Sequence, residues 1–176
     1  MRASQAMVQQ TAYVEDLSVA AGNMIAGAVA VTTGRLHLDD PAEAFERVRQ
    51  NDVFALEYFR YELAHQIAMI ATRMDPTIQA VYMEHELPEA EELGTPTISV
   101  TDPLHLVVYS EHQTAALRSL FEAIDRSLVG VLEARGISTA PGLIRVDIID
   151  QAEARRVSAS AGGFRPPPIT LVHKDG

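Results

Sequence analysis

The segment that most constrains the fold runs from Leu104 to Asp150. Two β-branched stretches, LHLVVYS (104–110) and LIRVDIID (143–150), flank roughly 24 residues of helical periodicity. Leu117, Leu120, Phe121, Ile124, Leu128, Val131 and Leu132 recur at three- and four-residue spacing and form the apolar face of a helix ending at Gly136. Ser110 with Gln113 reads as a capping box at its start. Ile144, Val146 and Ile148 alternate with Arg145 and Asp147, the pattern of a strand with one exposed face. Strand, helix and strand in this order predict a parallel pair with a right-handed crossover. QAEARRV (151–157) adds one or two helical turns, SASAGGFRPPP (158–168) a flexible loop, and ITLVH (169–173) a last short strand of undetermined direction.

The first half is helical. Met7, Val14, Ala21 and Ala28 fall seven apart, with Gln10, Leu17, Met24 and Val31 as the complementary set, which predicts one long helix over 4–33. Gly34 supplies its left-handed cap. Gly22 and Gly27 each cost about 1 kcal/mol inside a helix, so either a second helix approaches closely there, the preferred reading, or the helix is interrupted. Asp40, Pro41 and Glu43 give a new helix start, and Asp52 after a break at 50–52 gives another. Leu56, Phe59, Leu63, Ile67, Ile70 and Met74 then form one stripe. Asp75 and Pro76 stop that helix, and TIQAVYMEHE (77–86) reads as a short third one. The connection over 34–40 folds the two arms into an antiparallel hairpin of roughly 40 to 50 Å at 1.5 Å per residue. Arms of that length leave apolar surface that a homodimer would cover. Residues 88–103 are acidic, hold three prolines and read as a connector with a short strand at TISV (97–100). The expectation is an α+β chain: a helical hairpin region with a short third helix over 1–87, the connector over 88–103, and a β-α-β unit with a final strand over 104–176.

Charge and composition narrow the function. With 24 acidic against 14 basic residues the net charge is −10, which argues against nucleic acid and anionic lipid as partners. Arg155 and Arg156 are the one adjacent basic pair of note. The absence of cysteine removes disulfides, thiolate ligands and cysteine nucleophiles, and makes the cytoplasm the simplest location. AAGNMIAGAVAV (20–31) is the most apolar run; it is shorter than the roughly 20 residues a bilayer needs and reads as buried in protein, with no membrane partner.

Two places carry candidate chemistry. Glu62 and His65 form an E-x-x-H, the helical spacing with which carboxylate-bridged metal sites aim an oxygen and a nitrogen at one divalent ion. With Leu63 at zero on a helical wheel, His65 falls near about 200° and Glu62 near about 260°, off the stripe and beside Tyr58, Met69 and Thr72. One motif is half a site; a second chain, or Glu57, Glu15 or the EHE at 84–86, would have to complete it. The ordinary reading is a polar interface. Ser110 and His112 lie at a strand end before a helix, where small anionic ligands gather, but the glycines of a phosphate loop are missing. A triad of Ser110, His112 and Asp150 lacks the nucleophile elbow, and His105 and His173 read as sheet-face residues. SAGGFRPPP (160–168) reads as a linker in preference to a polyproline ligand. No cofactor beyond that divalent metal is expected. The leading expectation is an oligomer-forming accessory or scaffold protein. The alternative is a metal-dependent or small-ligand-binding enzyme at Glu62/His65 or Ser110.

Overall fold

The computed structural model describes residues 2–84, 99–110, 114–150 and 169–174, with side chains on the first helix from Leu17 onward. Its elements are α1 (Arg2–Arg35), α2 (Pro41–Arg49), α3 (Val53–Met74), β1 (Ile78–Met83), β2 (Leu104–Ser110), α4 (Thr114–Ala134), β3 (Ile144–Ile149) and β4 (Ile169–His173). This is the expected α+β architecture, a helical hairpin followed by a β-α-β unit. The sheet has the order β3-β2-β1-β4. β2 and β3 are parallel and joined through α4, as the strand-helix-strand pattern predicts. β4 pairs antiparallel with β1, which settles the direction of the last strand.

β1 corrects the sequence reading. The segment taken for a short third helix is a strand from Ile78 to Met83, bonded to β2 on one side and β4 on the other. Ile78, Val81 and Tyr82 favour a pleated surface. An isolated helix this short would gain too few hydrogen bonds to repay nucleation, whereas a central strand satisfies its backbone from both neighbours. The strand brings the N-terminal half into the sheet, so one hydrophobic core joins Leu17, Met24 and Phe59 to Leu106, Leu117, Ile124 and Leu143.

α1 packs against α2, α3 and α4, while α3 lies between α1 and the strands. Leu17, Ala21, Met24 and Ala28 of the seven-residue seam are buried, but Val31 is 37% exposed and Thr32 is buried instead. A straight helix drifts about 20° per heptad, which carries the seam off the core within a few turns. Gly27 does lie close to α3: a Cβ there would sit 3.3 Å from Gln66 Nε2. At Gly22 a Cβ would meet nothing within 4 Å, so the close-packing expectation holds at one glycine and fails at the other.

Two helix starts and three helix ends carry recognisable caps. Asp40 accepts from Ala42 N, and Asp52 from Phe54 N and Ala55 N, so both predicted N-caps are present. At the C-termini, Leu38 N bonds Thr33 O and His37 N bonds Gly34 O; the same pair recurs as Asp52 N to Arg47 O with Asn51 N to Val48 O, and as Ile137 N to Leu132 O with Gly136 N to Glu133 O. These are three Schellman motifs, whose left-handed residues are His37 (φ 54), Asn51 (φ 59) and Gly136 (φ 88). The cap of α1 is therefore His37 and not Gly34. Asn51 earns its place with a second bond, accepting from Val100 N at 3.0 Å. Val100 lies in a turn, while Thr97 and Ile98 of the expected TISV strand fall outside the described residues, as do 151–168 with the expected helical turns and loop.

Candidate functional site

α3 is the element on which polar chemistry and fold meet. Its buried residues, Ala55, Leu56, Phe59, Arg60, Leu63, Ala64, Ile67, Ala68 and Ala71, cover an arc of about 220° at 100° per residue, far wider than the single stripe read from the sequence. The cause is packing on two sides, against α1 and against the sheet. The remaining arc carries Phe54, Tyr58, Tyr61, Glu62, His65, Met69 and Thr72.

On that outward arc Glu62 Oε1 stands 3.6 Å from His65 Nδ1 and accepts from Gln66 Nε2 at 3.1 Å. The i, i+3 geometry brings the pair together as expected, with Glu62 at 16% and His65 at 35% side-chain exposure. Among the described residues no group of three or more His, Asp or Glu side chains gathers to hold a metal. Among the described residues, a divalent ion there would find Glu62 and His65 as its two ligands.

Ser110 stands at the strand end, where the sequence placed it. It ends β2 opposite Ile78, is buried, and lies 3.2 Å from Thr77 Oγ1. Thr77 in turn donates from both its hydroxyl (2.6 Å) and its backbone N–H (3.0 Å) to Asp75 Oδ1. The Asp75–Thr77–Ser110 chain ties the end of α3 to the sheet. His112 and Gln113 lie outside the described residues, and with them the expected ligand pair and capping box.

Two tying residues were not anticipated. Arg60, buried at 6% exposure, donates from Nη1 to Asp102 O at 2.6 Å and Ser99 O at 3.3 Å, and from Nη2 to Pro103 O at 3.1 Å. Its wheel position of about 60° from Leu63 was the available signal. Asp125 on α4, buried within an apolar stripe, accepts from Gly142 N at 2.8 Å and Ile144 N at 2.9 Å and so positions the start of β3. It also lines an open cleft of about 450 Å³ with Arg118, Glu122 and Arg126, its two oxygens already engaged by backbone.

The residues missed on the outward arc are Phe54 and Tyr61, which continue the apolar face on which Met69 was expected. Phe54 is 66%, Tyr61 41% and Met69 39% exposed. Their spacing with Tyr58 and His65, at four, three, four and four residues, was legible, but the neighbouring core stripe masked it. On the sheet, the rings of Tyr82 and Tyr109 lie 5.1 Å apart, and burial, with Tyr109 beside it, raises the Tyr82 phenol above its ordinary range. His105 and His173 occupy β2 and β4, as expected. Comparison of the chain with protein-family models, with curated proteins and with solved structures finds no match.

Proposed function

We propose that this chain works through protein–protein contact, as an oligomer-forming accessory or scaffold protein. The observation that carries the reading is the outward face of α3. Phe54, Tyr61 and Met69 are exposed, with Tyr58 and His65 half-buried between them, and aromatic and methionine side chains are the types that dominate interface energetics. The sequence Leu17–Arg35 of α1 meets the length and composition of a membrane span, with 39% of it buried. Its packing against α2, α3 and α4 supports reading it as a helix of the protein core. The cytoplasm is the location most compatible with a cysteine-free chain.

Sedimentation velocity on the full chain tests the reading. A dimer that dissociates on Tyr61→Glu or Met69→Glu, with unchanged circular dichroism, supports it; a monomer at every concentration up to about 100 μM, weaker than stable interfaces bind, overturns it. The competing reading, a metal-dependent or small-ligand enzyme, is favoured by the approach of Glu62 to His65. Protein purified without chelator and found to hold stoichiometric metal, lost in a Glu62→Ala, His65→Ala variant, would put that reading in its place.

A further inference from the structure

The outward row of α3 carries no charge. Phe54, Tyr58, Tyr61, His65, Met69 and Thr72 fall between about 160° and about 240° from Leu63 and extend about 27 Å along the helix. On a chain of net charge −10, this is a surface on which two equally acidic molecules can meet without opposing like charges. The charges beside it are ordered. Glu62 near about 260° and Arg73 near about 280° share one flank, eleven residues and about 16 Å apart, acid toward the start of the helix and base toward its end. A flank with that polarity complements a reversed copy of itself.

We infer that the occupant of this face is a second copy of the chain, with the two α3 helices antiparallel about a two-fold axis between Ile67 and Ala68, pairing Glu62 of each copy with Arg73 of the other. This rests on the protein-contact reading and names its partner. A two-fold axis perpendicular to both helices places like flanks together, as the pairing requires. In the same register the rows interleave. The second copy's Thr72 falls between Tyr61 and His65, its Met69 between His65 and Met69, and its His65 between Met69 and Thr72. Knob-like side chains thus meet gaps, as in paired helices generally.

The test uses the full chain and its lack of cysteine. Glu62→Arg and Arg73→Glu are each expected to weaken dimerisation about tenfold, since each turns two rim attractions into repulsions. Mixed in equal amounts they are expected to recover wild-type affinity, because the mixed dimer restores opposite charges at both contacts. Circular dichroism of each variant checks that it folds. Under copper-phenanthroline oxidation, Met69→Cys is expected to form a covalent dimer and Phe54→Cys to stay monomeric, its two thiols being about 40 Å apart along the seam. A dimer lost in Tyr61→Glu but not recovered by the mixture, or cross-linked through Phe54→Cys, overturns the antiparallel pairing and leaves the contact reading standing. A dimer unaffected by Tyr61→Glu overturns both.

Discussion

Arg60 and Glu62 stand two residues apart on α3, yet they belong to different parts of the molecule. Arg60 is turned inward and holds three carbonyl groups of residues 99–103 against the helix. Glu62 is turned outward and is engaged by Gln66 and His65 of its own helix. The inward charge is desolvated and therefore has to be satisfied completely; the outward one keeps water within reach. One helix thus uses ionisable groups as fasteners on one side and leaves them available for contact on the other. Asp125 extends the fastening side to α4, where it does for the start of β3 what Arg60 does for the start of β2.

If this division is right, substitutions should separate by side. The largest loss is expected from Arg60→Met, which strands three part-buried carbonyls and should cost about 3 kcal/mol in urea unfolding, with Arg60→Lys recovering part of it. Asp125→Ala, which strands the N–H groups of Gly142 and Ile144, should cost about 2 kcal/mol, and Asp125→Asn less.

A smaller effect is expected at high pH. Tyr82 is held neutral by burial first and by Tyr109 second, so its folded pKa lies above the unfolded value of 10.0. Between the two values the folded state holds the proton more tightly, so this contribution is intact below pH 10 and is lost as pH rises above it. Tyr82→Phe should flatten that decline in unfolding experiments across the alkaline range.

The smallest effect on monomer stability is expected from Glu62→Ala with His65→Ala, under about 0.5 kcal/mol, because a half-buried pair within one helix, still reached by water, contributes little. A loss above about 2 kcal/mol there would erase the contrast between the two sides of α3.

Much of the framework was legible because it depends on neighbours in sequence. The caps at Asp40 and Asp52 need only a carboxylate and N–H groups two or three residues on. The parallel β2/β3 pair follows from the length of what separates them. The approach of Glu62 to His65 follows from helical spacing. The left-handed position after α1 was misplaced for a related reason. Glycine is the usual occupant, but the helix runs past Gly34, and His37 takes the conformation that the hydrogen bonds of Leu38 and His37 impose.

What the sequence alone determined was therefore periodic and local: the helical first half, the strand-helix-strand signal, the helix starts, and the outward placement of Glu62 and His65. Tertiary structure decided whatever depends on partners distant in the chain. Residues 78–83 hold a short apolar pattern that either a helix or a strand can display, and strands on both sides made them the strand β1. Ser110 was legible as a strand end, but its neighbours there, Thr77 and Ile78, come from 33 and 32 residues away. Arg60 has the chemistry of a surface residue and was buried because three carbonyls from 39 to 43 residues away meet its guanidinium. Local rules assign each backbone group a short-range option, and burial selects among the options by which one leaves no polar atom unpaired.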